Sequence, residues 1–233
     1  MLSISNLSYF IGGRALYENA NLHIKPKDKI GLVGQNGTGK STLLKIINGD
    51  YLPSSGDVQK AKDCTLGFLN QDLLSYQSDD SILNVALAAF KETLAIQDEI
   101  EKVLKLMETD YSDEVINKLA FLQDRFESNE GYTIKAKAEE VLEGIGFQTS
   151  DLQKPLRQFS GGWRMRVMLA KLLLEKPSLL MLDEPSMGLA PAIVTGFALA
   201  FARAEVVCGG RKVLTAEGVF KLMKGRGAAA ARK

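Results

Sequence analysis

Residues Gly34 to Ser41 read Gly-Gln-Asn-Gly-Thr-Gly-Lys-Ser, the spacing G-x-x-x-x-G-K-[ST]. Such a loop can hold a polyphosphate. Gly34, Gly37 and Gly39 allow tight turns, and without side chains their backbone N–H groups can approach the anion. Lys40 can reach the β- and γ-phosphates, and the Ser41 hydroxyl can ligate Mg²⁺. The flanks agree with this chemistry. Ile30–Val33 is a short apolar run, as expected of a buried strand, and Ser41–Asn48 has helical spacing that stops at Gly49, a C-cap residue. A strand, a glycine loop and a helix N-terminus together form an anion site that includes Gln35, Asn36, Thr38 and Thr42.

A second constellation lies far downstream. Leu179-Leu180-Met181-Leu182 is an apolar strand that runs into Asp183-Glu184. Asp183 can hold Mg²⁺ through its water shell, and Glu184 can accept the proton of an attacking water. Gln71 follows a strand-like stretch, Thr65–Asn70, where it can ligate the metal or position the water. A third segment, Phe159-Ser160-Gly161-Gly162-Trp163-Arg164-Met165-Arg166, precedes a predicted helix over Val167–Glu175. Ser160 is a natural N-cap, and Gly161 and Gly162 expose N–H groups at a positive helix end. The chain thus carries two anion sites but one lysine loop. The economical reading is that the second serves a nucleotide held by another copy or another domain.

The elements that must position these residues follow from patterning. Ser3–Leu7, Ala20–Ile24 and Lys29–Val33 read as strands with turns at Gly12-Gly13 and Pro26–Asp28; Asp57–Lys60 and Thr65–Asn70 follow the first helix. Between Asp72 and Pro155 the composition becomes helical. Asp79-Asp80-Ser81 can cap a helix running from Ile82 towards Met107, with further helices over Asp113–Phe126 and Thr133–Leu142. Their Glu- and Lys-rich polar faces fit either solvated surface or a partner's contact surface.

At 233 residues, 45% hydrophobic and 24% charged, the chain can bury a core as a globular protein. Cys64 and Cys208 form no C-x-x-C and fit free thiols in a reducing cytosol. The start at Met1-Leu2-Ser3-Ile4 lacks the pattern of a secretory signal. No apolar run approaches the ~20 residues that span a bilayer, so a membrane role needs spans from another chain. The net charge of +1 hides a break. Residues 191–233 hold eight basic and two acidic residues, a net of +6, whereas residues 1–190 hold 21 and 26, a net of −5.

The order GQNGTGKS, Gln71, FSGGWRMR and LLMLDEP resembles the ATP-binding-cassette (ABC) ATPases. The resemblance implies an α/β P-loop NTPase fold with an N-terminal antiparallel β subdomain and an inserted helical subdomain. Residues 1–71 and 156–190 would form the ATP-binding core, and 72–155 the helical insertion. By the same resemblance Gly34–Ser41 is the Walker A loop, Gln71 the Q-loop, Ser160–Gly162 the signature and Leu179–Glu184 the Walker B strand. Lys40, Gln71 and Glu184 would act in catalysis, and Ser41, Gln71 and Asp183 around Mg²⁺. Two such domains sandwich two ATP molecules in this family, each signature capping the opposite nucleotide. An aromatic near the start stacks on adenine, with Phe10 or Tyr9 the candidate here. Trp163, standing where transporter cassettes carry Gln, makes GGWRMR similar to the ABC-F group. Those proteins are cytosolic ATPases with two cassettes per chain, many of them acting on ribosomes. Residues 1–185 resemble their N-terminal cassette.

The resemblance has an edge. After Pro185 an ABC-F protein continues with a Thr-Asn-His-Leu-Asp type of loop, whereas this chain reads Ser186-Met187-Gly188-Leu189-Ala190-Pro191, similar to importer cassettes. The family's switch histidine has no counterpart, because the one histidine, His23, precedes the phosphate loop. The edge coincides with the charge break, so residues from about 186 onward, with the basic, Ala/Gly-rich tail 191–233, are expected to be atypical of the group, through truncation, frameshift or fusion, the alternative being a native but diverged tail. Three functional expectations result. The first is Mg²⁺-dependent ATP hydrolysis coupled to movement of a cytosolic partner such as the ribosome, with a second cassette completing the site. The second is the ATPase subunit of a transporter. The third is a module that binds nucleotide without hydrolysing it. Lys and Arg within 72–155 are matched by acids, so the sequence argues only weakly for RNA contact.

Overall fold

The computed structural model describes residues 1–28, 30–32, 34, 37–70 and 77–183, together with the backbone of strands 204–208 and 211–216. It divides into two compact units, one of Met1–Phe68 with Ser178–Lys233 and one of Leu69–Pro177.

In the first unit, β1 (Leu2–Ile11) and β2 (Arg14–Ile24) form an antiparallel hairpin, and β3 (Ser55–Lys60) adds to the other edge of β1, giving the order β2-β1-β3. The Gly12-Gly13 turn has φ of 56° and 79°, the left-handed pair that a two-residue hairpin turn requires. The register pairs Leu2 with Ile24 and Ile11 with Arg14, with irregularities between Ile4 and Phe10. Helix α1 (Lys40–Asn48) ends at Gly49, whose N–H donates to the Lys45 and Ile46 carbonyls, as the sequence predicts. Leu43, Ile46 and Ile47 of α1 pack with Leu2, Ile4, Leu7, Tyr17, Ala20 and Ile24 of the sheet. Met181 of β5 (Leu179–Leu182) joins the same core. Burying each large aliphatic side chain contributes about 1.5–3 kcal/mol, so α1 is held by its apolar face rather than by its nine-residue length. β5 pairs with β4 (Leu66–Leu69), and the Leu179 N–H donates to the Thr65 carbonyl.

The tail reads differently from expectation. Residues 204–208 and 211–216, where the sequence pattern gives no strand, form an antiparallel hairpin, β6 (Ala204–Cys208) and β7 (Arg211–Ala216). The local runs Val206-Val207 and Val213-Leu214 flank Gly209-Gly210, a hairpin signal that the surrounding Ala and Gly residues mask.

The second unit is helical. Helix α2 (Ile82–Leu87) starts at Ser81, whose hydroxyl accepts from the Asn84 N–H. The predicted continuous helix from Ile82 to Met107 is instead broken, and α3 (Lys91–Leu106) begins after a turn at Ala88–Phe90. No Gly or Pro marks that turn. α2 is buried around much of its circumference by Ile82, Leu83, Val85 and Ala86, whereas α3 buries only a stripe. The Ile82 and Leu83 N–H groups donate to the Lys154 and Leu152 carbonyls, so tertiary packing fixes where α2 starts and how it runs. α3 and α4 (Asp113–Ser128) share a satellite core of Ile96, Val103, Val115, Leu122 and Phe126. α5 (Ile134–Gly144) and α6 (Gly161–Glu175) complete the unit. Residues 156–177, grouped with the ATP-binding core in the sequence reading, pack with the helices.

Candidate nucleotide site

The Gly loop enters α1 through Gly39, which sits at φ 98° in the N-cap position with no side-chain cap. Only glycine fits here. A Cβ would lie 2.7 Å from Leu16 Cδ2 and 2.7 Å from the Tyr17 hydroxyl, and the backbone angle is one that L side chains rarely adopt. The Lys40 Nζ donates to the Gly34 carbonyl at 2.9 Å, across the loop it is expected to serve. No acidic residue of α1 itself occupies its first turn, which leaves the positive end of the helix available to an anion. Gly37 also has positive φ, 81°.

Ser41, in the first turn of α1, donates its hydroxyl to Asp183 Oδ1 at 2.9 Å. These residues are 142 positions apart in the chain. Asp183 follows β5, whose Met181 is buried against α1, so the core that seats the helix also delivers the carboxylate. A hydroxyl and a carboxylate oxygen adjacent to a lysine and a helix N-terminus are the donor set of a Mg²⁺–polyphosphate site, in which the hard cation keeps several waters. The residues therefore fit Mg²⁺ with a nucleotide.

The third motif is also at a helix start, in the second unit. α6 begins at Gly161, six residues earlier than the predicted Val167, so Gly161 and Gly162 form its first turn. Glycine costs about 1 kcal/mol in a helix interior. Here the packing of the same turn and the next outweighs it. Met165 is buried, the Trp163 ring lies 4.8 Å from Phe147, and the Arg166 guanidinium sits 4.2 Å over Trp163. Ser160 has the extended N-cap backbone, yet its hydroxyl makes no cap bond; its carbonyl accepts from the Arg164 N–H at 2.9 Å. The first-turn N–H groups of α6 have no partner within their own helix and lie beside a hydroxyl that the helix does not engage.

Of the two aromatic candidates, Tyr9 stacks on Tyr51 with centroids 6.2 Å apart, while Phe10 is 48% exposed and its N–H donates to Ser54 Oγ. His23 lies on β2, paired with Ser3. Thr42 lies within α1. Gln35, Asn36, Gln71, Glu184 and the loop 186–191 lie outside the described residues. The residue that sequence reasoning missed is Tyr17, which hydrogen-bonds the loop from β2 and belongs to no motif.

The match to known proteins decides the family. Residues 17–187 fit the family model described as ABC transporter, a span that holds the loop, the Ser160 segment and Asp183. The chain belongs to the ABC transporter family. Among its ABC relatives is an uncharacterized ABC transporter ATP-binding protein, YfmM of Bacillus subtilis. That protein is 35% identical over 189 residues, which cover 80% of this chain and 36% of YfmM. ABC transporter F family member 5 of Arabidopsis thaliana is 34% identical over 191 residues, 79% of this chain and 28% of that protein. The energy-dependent translational throttle protein EttA of Mycobacterium tuberculosis is 34% identical over 175 residues, 75% and 31%. The ABC-F resemblance read from the motifs is thus borne out by these relatives. The chain spans about a third of the length of each. Among solved structures, the dimeric bacterial ABC transporter cassette MJ0796 superposes with a TM-score of 0.56 at 21% identity, over 85% of this chain and 80% of that one. That likeness bears out the P-loop NTPase fold of the α/β class. No described helix is long and apolar enough to cross a membrane.

Proposed function

We propose that this cassette binds Mg²⁺-ATP on Gly34–Thr42 and hydrolyses it, and that it works as an ABC-F type cassette in the cytoplasm. The observation that carries the reading is the Ser41–Asp183 hydrogen bond at 2.9 Å, which joins two distant motifs at one helix end. In this reading Lys40 and the backbone N–H groups of the loop hold the phosphates and stabilise charge on the transferring phosphoryl. Mg²⁺, held by Ser41, Gln71 and Asp183, would supply further charge neutralisation. Glu184 accepts the proton of the attacking water, and Phe10, the more exposed of the two aromatics, stacks on adenine. Ser160, Gly161 and Gly162 complete the site of a second cassette, either another copy of this chain or a further cassette of a longer one. The Ser160 hydroxyl and the first-turn N–H groups of α6, none of which α6 itself engages, support that role. Closure on ATP and opening after hydrolysis would move a partner bound to the helical unit. The kinship with EttA, named as a translational throttle, points to translation as the process and the ribosome as that partner.

A second reading keeps binding and drops hydrolysis. It is favoured by His23, the chain's one histidine, being on β2 ahead of the loop, and by Ala190 standing where the family's loop carries Asp. Mg²⁺-ATP turnover measured against protein concentration, with Glu184→Gln alongside, separates the two. Turnover that rises faster than linearly and is lost in Glu184→Gln supports a hydrolysing sandwich. Binding without turnover supports the second reading.

A further inference from the structure

Tyr17 is fully buried among the core residues of the first unit, and its hydroxyl donates to the Gly39 carbonyl at 2.7 Å. The same carbonyl accepts the first hydrogen bond of α1, from the Leu43 N–H at 2.9 Å. A carbonyl oxygen has two lone pairs, and here both are engaged. The Gly39 carbonyl and the Lys40 N–H belong to one planar trans peptide and point in opposite directions. Holding the oxygen therefore sets the direction of that N–H, which, at the first residue of α1, has no carbonyl four residues back within its own helix. Glycine at φ 98° brings no steric restraint of its own to this peptide. Among the described residues, the Leu43 N–H restrains it from within α1, and the Tyr17 hydroxyl restrains it from outside the motif.

We propose that Tyr17 is a positioning residue of the phosphate loop, locking the Gly39–Lys40 peptide so that the Lys40 N–H is fixed before the phosphate chain arrives. The inference rests on the reading of Gly34–Ser41 as a nucleotide site and adds a residue from outside the motif, 22 positions upstream on β2. Preorganisation of this kind lowers the ordering cost of binding. Burial pushes the Tyr17 hydroxyl up to about 12, so it remains a protonated donor through the neutral range. Its hydroxyl and the Leu16 side chain also occupy the space where a Cβ at position 39 would lie, so one β2 segment excludes other side chains from the loop and pins its backbone.

The test uses the whole chain and Tyr17→Phe, which keeps the ring and leaves the Gly39 carbonyl its Leu43 partner. Two quantities are read: the ¹³C resonance of the Gly39 carbonyl in ligand-free protein, and the calorimetric affinities for Mg²⁺-ATP and Mg²⁺-ADP. The expected result is a displaced Gly39 resonance and about five- to tenfold weaker binding of both nucleotides, the scale of one lost hydrogen bond. Leu16→Ala is the packing control, expected to lower the melting temperature more than Tyr17→Phe while changing affinity less. Affinity within twofold of the unaltered chain, or an unmoved Gly39 resonance, overturns the inference alone. An unaltered chain that binds neither nucleotide overturns the nucleotide reading and the inference with it.

Discussion

Two segments of this chain present a glycine-rich stretch at a helix N-terminus, and they are unequally equipped. The loop before α1 has a lysine, a hydroxyl paired with a carboxylate, and a buried tyrosine bracing its backbone. The start of α6 has two glycines, a positive end without a side-chain cap and a serine hydroxyl, and among the described residues no carboxylate pairs with that hydroxyl. Both helix starts lack an acidic first turn, so both favour anions. Only the first has the donor set for a metal-bound polyphosphate. The difference teaches how the proposed roles divide: the α1 site is equipped to hold a nucleotide, and the α6 site to complete one held elsewhere.

The contrast can be broken most severely at Gly39. Gly39→Ala forces a Cβ to within 2.7 Å of Leu16 and Tyr17 at a backbone angle unsuited to alanine. We expect loss of measurable nucleotide binding and a stability decrease of about 2–4 kcal/mol in urea unfolding. Gly161→Ala, by comparison, adds a better helix former in the first turn of α6 and should leave folding intact. Next in size, Ser160→Ala should leave Mg²⁺-ATP affinity of the dilute chain within twofold and reduce the concentration-dependent part of turnover at least tenfold, read by phosphate release. An equal loss of affinity in Ser160→Ala would mean that the two helix starts do not divide the work as described.

A smaller effect sharpens the account of Tyr17. Its hydroxyl has a higher pKa in the folded state, about 12, than the ordinary value of 10.0, because burial disfavours the phenolate. The neutral form is thus the one that folding favours. Its stabilisation is fully present below pH 10 and is lost as pH climbs from 10 to 12, by on the order of 2 kcal/mol. The difference in unfolding free energy between the unaltered chain and Tyr17→Phe should therefore fall across that window and be flat from pH 7 to 9. Urea titrations at pH 8, 10 and 11 check this.

The comparison also shows what a sequence can carry. The loop, α1 with its Gly49 cap, and β5 were legible because each has a strong local signal: fixed glycine spacing, or an apolar run bounded by turn residues. The pairing of Ser41 with Asp183 was legible as chemistry, since each residue type serves a metal-bound phosphate, although only the fold shows the contact. Three features were hidden. The break at Ala88–Phe90 interrupts a stretch whose helical periodicity continues without Gly or Pro, because tertiary packing sets it. The early start of α6 was hidden in part: Ser160 reads as an N-cap, as the fold has it, yet two glycines argue locally against helix, and the turn is held by the burial of Met165, the packing of Trp163 on Phe147 and the Arg166 guanidinium over Trp163. Tyr17 lies ahead of the strand that the sequence predicts at Ala20–Ile24 and belongs to no motif; its role comes from its hydroxyl meeting a carbonyl on a loop far along the chain.

The central claim is that Ser41 and Asp183 make one Mg²⁺-dependent nucleotide site with the Lys40 loop. Its most direct test is the ATP affinity of the unaltered chain and of Asp183→Asn, by calorimetry with and without Mg²⁺. The account predicts that Mg²⁺ tightens ATP binding at least tenfold in the unaltered chain and by less than twofold in Asp183→Asn. Tightening that is equal in the two proteins, or absent from both, would contradict it.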